Sequence, residues 1–409
     1  MLNVDLLRKE PEKVKEGIRK KRLPSELVDK FLEVDKKWRT LVSAADSVRA
    51  DKKLLKQGDA ERGRVLKEKA REIDAEIAVL EKERDVIIEQ IPNMPANDVP
   101  VGKDDTENVI VREVGKKPDF DFEPKEYLNV PAVLPLINTE AATAVAGSRF
   151  SYLLGDLVLL EFALVKLALD KLMSHGFVPV VPPVMAKPEI MKKMGKVKFL
   201  EGDDAFYLPK DDLFLVGSSE HTIGPLHMSD TISSLPKRYA GFSTCFRREA
   251  GSYGKDTKGI LRVHQFDKVE MFSFCEPSKS EDEHKLILAM QEELMQSLGL
   301  HYRVVAVCTG DMGFGDYRQF DIETWLPGQG KYRETQSCSN TTDYQSRGLA
   351  IKHRKDKDDR ELVHMLNGTA FAIGRILIAI IENYQTKDGA VVVPEVLRAY
   401  VGKDKIQVI

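Results

Sequence analysis

The chain has 409 residues, more than one ordinary domain needs and enough to bury a large core. Its formal net charge of −3 and its pI near 6.3 argue against indiscriminate binding to nucleic acids, although they allow a local basic patch. The four cysteines stand singly and form no Cys-x-x-Cys pair, so the sequence predicts neither a disulfide framework nor a zinc site.

No stretch of the sequence predicts a leader or a membrane span. The N-terminal stretch MLNVDLLRKEPEKVK lacks the apolar core of a signal peptide. The most apolar run, residues 152–169, is broken by Asp156 and Glu161. We therefore expect a cytoplasmic protein that has no membrane contact.

Residues 1–95 predict a helical arm. A short helix is expected near residues 4–22. Beyond it, apolar residues recur at alternating spacings of three and four in two blocks, which the sequence KQGD separates. This heptad pattern, in which Arg84 is the one polar intruder, predicts an antiparallel coiled coil over about residues 27–92. A coiled coil alone is most often a dimerisation element or a spacer, so this pattern leaves its function open.

Basic residues outnumber acidic ones near the expected tip of the coiled coil. A projecting, locally basic rod suits contact with the phosphate backbone of a folded RNA. The candidate RNA-binding residues, called the basic tip below, are Arg49, Lys52, Lys53, Lys56, Arg62 and Arg64.

Prolines and composition mark the end of the arm. Pro92 ends the second long helix, because proline cannot continue it. Residues 96–124 are rich in Pro, Gly, Asp and Lys and predict a linker. The remaining residues, 125–409, are expected to form one catalytic body.

The body begins with a helix over residues 155–173, followed by the strand-like sequence VPVVPP after Gly176. The prolines restrict this strand to the edge of a sheet or to an interface. Further on, the small polar loop Ser218-Ser219-Glu220 follows a strand. By itself this loop is equally well explained as a simple turn.

Residues 246–270 predict a hairpin with a chemically suggestive polar face. A strand ends at the sequence FRRE, a glycine-rich basic turn follows over 251–259, and alternation over 261–270 predicts a half-buried strand. Arginine can grip phosphate oxygens in pairs, a phenyl ring can stack on a purine, and a carboxylate can accept from an exocyclic amine. The side chains of this face are Arg247, Glu249, Arg262, Phe266, Lys268 and Glu270.

Two downstream stretches add a cation site and a further arginine. Glu334 and Ser337 could hold a hard cation through oxygen, but a lone Glu-x-x-Ser has little specificity. Residues 366–375 are expected to begin a helix that continues apolar through 376–381. Arg375 lies inside this run, where a guanidinium is costly unless it is paired with an anion.

Together these stretches resemble the class II aminoacyl-tRNA synthetases. The hairpin resembles motif 2, the run around Arg375 resembles motif 3, and the helix and prolines of residues 155–183 resemble motif 1. The wording FRREAGSYGKDTKGILRVHQFDKVEMF and the stretch ETQSCSN resemble the seryl-tRNA synthetases of bacterial type, as does the N-terminal coiled coil. The resemblance covers nearly the whole chain. It implies an α+β fold in which a coiled-coil arm precedes a catalytic domain with an antiparallel sheet flanked by helices.

The resemblance implies ATP-dependent activation of L-serine to seryl-adenylate and transfer of the seryl group to the 3′ end of tRNA(Ser), and of tRNA(Sec) where it is present. Arg247 would contact the α-phosphate and the serine carboxylate, and Arg375 the γ-phosphate. Glu249 would accept from the adenine amine, while Phe266 stacks on the ring. The implied catalytic residues are Arg247, Glu249 and Arg375, and the implied magnesium ligands are Glu334 and Ser337.

The resemblance also assigns the amino-acid pocket and the partners. The implied serine-binding residues are Ser218, Glu220, Arg247, Glu270, Asn367 and Thr369. The first two stand in a loop that reads Thr-Ala-Glu in the family, so this chain departs from the pattern there. In the family the coiled coil recognises the long variable arm of the tRNA and motif 1 builds a homodimer. The expected cofactors are ATP and Mg²⁺, with no zinc.

Two other functions stay open. Some synthetase-like enzymes load an amino acid onto a carrier protein, but they lack the coiled coil and use zinc bound to cysteine. A non-catalytic paralogue could act as an RNA-binding or regulatory module, and the altered loop at Ser218 favours that reading. Against it stands the joint retention of the residues that the resemblance assigns to the site, namely Arg247, Glu249, Phe266, Glu270, Glu334, Asn367 and Arg375.

Overall fold

The computed structural model describes residues 1–56, 59–250, 258–356 and 359–407. The chain divides into two compact units, Met1–Met94 and Pro95–Ile409. Part of the expected coiled-coil turn, Gln57-Gly58, and most of the glycine-rich turn of the hairpin lie outside the described residues. Within the described residues, no helix is long and apolar enough to cross a bilayer.

The first unit is a set of helices. They are α1 Val4–Lys9, α2 Pro11–Lys20, α3 Glu26–Lys53 and α4 Ala60–Glu89. The prediction of one helix near residues 4–22 was wrong, because Glu10 leaves the helical conformation and Pro11 begins a second helix. The two long helices are antiparallel, since Asp35 pairs with Arg84 and Trp38 with Glu81. Their seam buries alternating apolar residues as the heptads predicted.

A buried carboxylate explains why the polar residue Arg84 stands at an apolar position of the second heptad block. Asp35 is fully buried and accepts from Arg8 at 2.8 and 2.9 Å and from Arg39 at 3.0 Å. Arg84 lies 3.0 Å from the same carboxylate and stacks 4.1 Å above the ring of Trp38. Burial opposes ionisation of Asp35, but the hydrogen bond and charge of Arg8 and the other two arginines outweigh it and lower the pKa of this carboxyl.

Asp35→Asn is expected to destabilise the arm by about 3 to 5 kcal/mol, because it removes the counter-charge of three arginines. Since the folded-state pKa of Asp35 is lowered, its stabilisation is complete above the unfolded-state pKa of about 4 and is lost as the pH falls through the folded-state pKa. Urea unfolding followed by helical circular dichroism measures both effects. Asp46→Asn is the matched control, because its ion pair with Arg49 on the same helix is exposed and contributes less than about 1 kcal/mol. Equal losses in the two variants would contradict this account.

The second unit is an α+β domain. Its strands are β1 Val109–Val114, β2 Ile137–Asn138, β3 Tyr152–Leu153, β4 Val178–Val180, β5 Met185–Ala186, β6 Tyr207–Leu208, β7 Leu213–Leu215, β8 Thr231–Ile232, β9 Lys237–Phe246, β10 Gln265–Cys275, β11 Tyr302–Ala306, β12 Arg318–Leu326, β13 Lys331–Asn340, β14 Lys352–Arg354, β15 Arg360–Leu362, β16 His364–Ala372, β17 Val391–Val392 and β18 Lys405–Ile406. Its helices are α5 Thr139–Ala146, α6 Asp156–Ser174, α7 Pro188–Lys193, α8 Val197–Glu201, α9 Glu220–Ile223, α10 Ser280–Ser297, α11 Tyr344–Leu349, α12 Ile373–Asn383 and α13 Glu395–Val401.

Eight of the described strands form one sheet in the order β1-β11-β12-β13-β16-β10-β9-β4. Neighbouring strands are antiparallel except β4 and β9, which are parallel. The proline-containing β4 lies at one edge, as the prolines predicted. The strand β1, which comes from the stretch expected to be a linker, lies at the other edge.

Helices α6, α10 and α12 share the main hydrophobic core with the sheet. Along β10, Val269 and Met271 point into this core. Phe266, Lys268 and Glu270 alternate with them and line a cavity on the opposite side. One strand therefore holds the core with one face and presents polar groups with the other.

Two predicted element boundaries were wrong. The second hairpin strand begins at Gln265 rather than at residue 261, because the segment before it folds across the cavity and places Arg262 against Glu249. Residues 366–372 form the central strand β16 rather than the start of a helix, which begins at Ile373. Periodicity could not show this strand, because residues on both of its faces are buried.

Candidate active site

A polar cavity lies where β9, β10, β13, β16 and the start of α12 meet. The predicted residues that line it are Glu220, Arg247, Glu249, Phe266, Glu270, Glu334, Ser337, Asn367, Thr369 and Arg375. The structure thus brings together side chains from four distant stretches of the sequence. Among the predicted serine-binding residues, Ser218 does not line the cavity. Its hydroxyl instead accepts from the backbone N–H of Glu220 at 3.3 Å and fixes the turn.

Two β-bulges aim the site residues. On a regular strand, Glu334 and Ser337 would face opposite sides, because they are three residues apart. Ile322 pairs with Gln336 whereas Glu323 pairs with Glu334, so Thr335 is an extra residue that turns both predicted cation ligands towards the cavity.

The second bulge lies in β16. Ala370 is its extra residue, because Val269 pairs with Phe371 and Glu270 with Thr369. The bulge keeps Thr369 opposite Glu270 and carries the strand into α12, whose first turn brings Arg375 to the cavity.

One end of the cavity is built from charged side chains of the hairpin. Arg247 donates from Nε to the carbonyl of Gly217 at 3.1 Å, and its guanidinium lies 5.5 Å from the ring centre of Phe266. Glu249 has a φ of 53° and lies 3.3 Å from Arg262. A left-handed backbone is uncommon for glutamate and is often found where a functional side chain must be aimed.

Arg375 and Glu334 face each other across the mouth of the cavity. Nη1 of Arg375 donates to the carbonyl of Glu334 at 2.8 Å and lies 3.1 Å from its carboxylate. Burial opposes ionisation of Glu334, but the charge and hydrogen bond of Arg375 outweigh it and lower the pKa of this carboxyl. The carboxylate is therefore ionised at neutral pH, as a cation ligand must be, and Arg375 is held at the edge of the cavity.

The deep end of the cavity offers hydrogen bonds to a small polar group. Glu270 is 1% exposed, accepts from the hydroxyl of Thr369 at 3.1 Å and pairs with Lys268 at 2.7 Å. Burial raises the pKa of Glu270, and the lysine offsets this only in part. A buried carboxyl beside a hydroxyl is the kind of partner that a small hydroxyl ligand needs.

Glu220 forms the wall next to this end and is paired with a residue that the sequence analysis missed. The ammonium group of Lys196 forms a close ion pair with its carboxylate. Burial opposes ionisation of Glu220, but Lys196 outweighs it and lowers the pKa of this carboxyl to about 2. Nothing in the surrounding sequence KMGKVKF singles out Lys196, because it meets Glu220 only through the fold.

The two residues between the predicted cation ligands, Thr335 and Gln336, have structural roles. The hydroxyl of Thr335 lies 2.8 Å from that of Thr324, and Gln336 donates to the carbonyl of Ala370. Both residues are buried. These two contacts attach the bulge of β13 to the strands β12 and β16.

Comparisons with known proteins find similarity along almost the whole chain. The seryl-tRNA synthetase N-terminal domain matches residues 1–95, and the tRNA synthetase class II core domain (G, H, P, S and T) matches residues 207–384. The serine–tRNA ligase of Thermobifida fusca is 40% identical over 99% of this chain and 98% of its own length.

Two solved structures are similar over almost their full lengths. The seryl-tRNA synthetase of Pyrococcus horikoshii complexed with ATP is 37% identical, with a TM-score of 0.94 and coverage of 99% of both chains. The cytoplasmic serine–tRNA ligase of Naegleria fowleri in complex with AMP is 35% identical, with a TM-score of 0.90 over 100% of this chain and 99% of that one. With this coverage and the motif residues gathered in one cavity, the chain belongs to the seryl-tRNA synthetases, the class II enzymes that attach serine to tRNA.

Proposed function

We propose that this protein activates L-serine with ATP to give seryl-adenylate and then transfers the seryl group to the 3′ end of tRNA(Ser), and of tRNA(Sec) where the host has it. The observation that carries the proposal is that Arg247, Arg375 and the buried Glu270–Thr369 pair converge on one cavity. The similar proteins in complex with ATP and AMP support a nucleotide at this site. Because charged tRNA is used in translation, we place the reaction in the cytoplasm.

In the first step the serine carboxylate attacks the α-phosphorus of ATP. A bond forms from a carboxylate oxygen to phosphorus, the bond to the bridging oxygen breaks, and pyrophosphate leaves with that electron pair. The nucleophile is already an anion, so the step needs no strong side-chain base. Positioning and stabilisation of charge on phosphorus supply the catalysis. We assign Arg247 to the α-phosphate and the serine carboxylate, and Arg375 to the γ-phosphate.

The adenine is held by the hairpin. We assign the adenine amine to the carboxylate of Glu249 and the ring face to Phe266, which lines the cavity with its ring centre 5.5 Å from the guanidinium of Arg247. Arg262, which pairs with Glu249, keeps that carboxylate in place.

Magnesium fits the pair of oxygen ligands that the bulge at Thr335 turns into the cavity. We assign it to the carboxylate of Glu334 and the hydroxyl of Ser337, since Mg²⁺ prefers oxygen ligands and commonly takes one or two protein groups together with substrate phosphates. Bound there, the ion would neutralise charge on the phosphates. Glu334→Gln should raise the magnesium concentration needed for half-maximal activity, and an unchanged requirement would refute this assignment.

In the second step the oxygen of the terminal ribose hydroxyl of the tRNA attacks the acyl carbon of the adenylate. The bond from that carbon to the phosphate oxygen breaks, AMP leaves with the electron pair, and the hydroxyl proton passes to the departing phosphate. We propose that the arm, residues 1–95, recognises the long variable arm of the tRNA and that the catalytic body, residues 125–409, receives the acceptor end. Residues 96–124 connect the two and also add the edge strand β1 to the main sheet. The match of the arm to the family's N-terminal domain supports this division of roles.

Replacing all residues of the basic tip by glutamine is expected to raise the KM for tRNA about tenfold or more and to weaken its salt dependence, because fewer phosphates are neutralised. Serine-dependent pyrophosphate exchange, which needs no tRNA, should be unchanged. The matched control is the double variant Lys30→Gln, Lys82→Gln, which removes exposed lysines far along the same two helices. An equal rise of KM in the control would show that net charge rather than the tip matters.

We also propose a homodimer built on the motif 1 region. Large apolar side chains are exposed on and near α5, α6 and β4, and patches of this kind often mark interfaces. They are Val145, Leu159, Phe162, Val178 and Val181. Sedimentation should give about twice the chain mass of 46.1 kDa. A monomer at micromolar concentration would exclude this interface.

The whole proposal is tested by charging. Purified protein, ATP, Mg²⁺ and labelled serine should transfer label to tRNA(Ser) that carries its long variable arm. A tRNA with a short variable arm is the control acceptor and should stay unlabelled. Label on neither tRNA would refute the proposed function.

A further inference from the structure

Lys196 owes its position to the turn that precedes it. The short helix α7 ends before Gly195, whose φ is 72°, and the backbone N–H of Lys196 donates to the carbonyl of Met191 at 3.0 Å. A Cβ atom at residue 195 would come within 2.6 Å of the ring of Tyr344. Glycine is therefore required both for the left-handed turn and for the close approach, and this turn brings Lys196 to the amino-acid end of the cavity.

The partner of Lys196 is a wall residue of the cavity. The ammonium group of Lys196 contacts Oε1 of Glu220. The side chain of Lys196 is 26% exposed and that of Glu220 is 10% exposed. Breaking such a pair from one side leaves a largely buried charge without its counter-ion.

The charges around Glu220 come from several elements. Burial is the largest influence and favours the neutral form, and Lys196 is the largest opposing one. Lys268 on β10 also favours the carboxylate, whereas the acidic side chain of Glu270 on the same strand interacts with it unfavourably when both are charged. Burial holds the pKa of His221 well below its usual value, so this imidazole is neutral near pH 7 and cannot replace the lysine as counter-charge.

We propose that Lys196 is a positioning residue of the amino-acid site: it keeps the carboxylate of Glu220 charged and in place to receive the ammonium group of the substrate. The inference rests on the proposed function and on the assignment of Glu220 to the serine-binding residues, where its carboxylate would bind that ammonium group. Oε1 is engaged by Lys196, and Oε2 is the oxygen we assign to the substrate. Without the lysine, the buried carboxyl takes up a proton as the pH falls and no longer attracts a cation.

The test compares Lys196→Met with the wild-type chain in serine-dependent pyrophosphate exchange between about pH 6 and about pH 8. In the wild type, Glu220 stays ionised throughout, so it adds no pH dependence to the KM for serine. In Lys196→Met the KM should rise about tenfold for each pH unit below the new pKa of Glu220, while kcat changes far less. Lys196→Arg keeps the charge and should restore most of the wild-type profile.

Lys198→Met is the matched control, because Lys198 is exposed two residues further along the chain. It should behave as the wild type. If Lys196→Met does not fold, Lys196→Gln with calorimetric titration of serine at both ends of the pH range gives the same comparison.

Each result has one meaning. A serine KM in Lys196→Met that follows the wild-type value at every pH would overturn the inference. A loss of kcat that does not depend on pH and that Lys196→Arg fails to restore would show a merely structural role and overturn it as well. Absence of serine-dependent exchange in the wild type would instead refute the proposed function.

Discussion

Arg247→Met is expected to lower kcat/KM for serine-dependent pyrophosphate exchange by about a thousandfold, or about 4 kcal/mol of transition-state stabilisation. The guanidinium is fixed before substrate arrives, because Nε donates to the carbonyl of Gly217 and the group lies beside the ring of Phe266. The remaining N–H groups can meet the negative charge that develops on phosphorus. Methionine keeps the packing volume but offers no donor.

Arg248→Met is the matched control for this prediction. Arg248 is the next residue in the chain, but it donates to the carbonyl of Ala205 and lies 4.7 Å from the ring centre of Phe206, away from the cavity. Its replacement should change kcat/KM by less than about threefold. Similar losses in both variants would mean that the whole hairpin, rather than one guanidinium, is responsible.

Glu270→Ala is expected to abolish the preference for serine, lowering kcat/KM for serine by about 10⁴-fold while activity with alanine changes little. We expect the wild-type pocket to reject alanine, because the buried Glu270–Thr369 pair would then lack a hydroxyl partner. Pyrophosphate exchange with each amino acid measures the ratio of the two activities.

Loss of fold must be separated from loss of specificity at this position. Glu270→Ala leaves Lys268 buried without its counter-charge, which costs about 3 to 5 kcal/mol of stability. Thermal unfolding checks that the variant is folded at the assay temperature, and Glu270→Gln keeps the side-chain volume. Glu276→Ala, an exposed carboxylate just beyond the end of the same strand, is the control. A serine preference that survives in both Glu270 variants would remove this residue from the pocket assignment.

The hairpin residues could be predicted from the sequence because a strand alternates its faces. Phe266, Lys268 and Glu270 are two residues apart, so one periodic pattern predicts that they share a face, and the structure confirms it. The pairing of Arg375 with an anion could be predicted from the energetic cost of burying an unpaired guanidinium in an apolar run. Glu334 is that anion in the structure. The two long helices of the arm could be predicted as well, because the heptad spacing is also a periodic pattern.

The remaining features depend on contacts between residues that are distant in sequence. The bulge at Thr335 arises only when β12 pairs with β13, and the Lys196–Glu220 pair only when the segment after α7 meets the rest of the domain. The strand β16 was predicted as a helix, since burial on both faces erases the period that separates the two structures. In the Ser218 loop, the hydroxyl that the family pattern assigns to the substrate bonds the backbone of Glu220.

The two alternative functions make different predictions for the same cavity. A carrier-protein loader would activate its amino acid without any contribution from the arm, whereas the arm of this chain matches the family's N-terminal domain over residues 1–95. A non-catalytic paralogue would bind tRNA without forming an adenylate. Measuring activation separately from transfer distinguishes both from the proposed enzyme.

Serine-dependent exchange of labelled pyrophosphate into ATP tests the central claim most directly, because it requires the nucleotide end and the amino-acid end of the cavity to work together without tRNA. Alanine, threonine and glycine are assayed alongside serine. We predict exchange with serine alone, and Arg247→Met should remove it. No exchange with any of these amino acids, from a folded protein supplied with Mg²⁺, would contradict the account and favour an RNA-binding paralogue that kept its motifs without its activity.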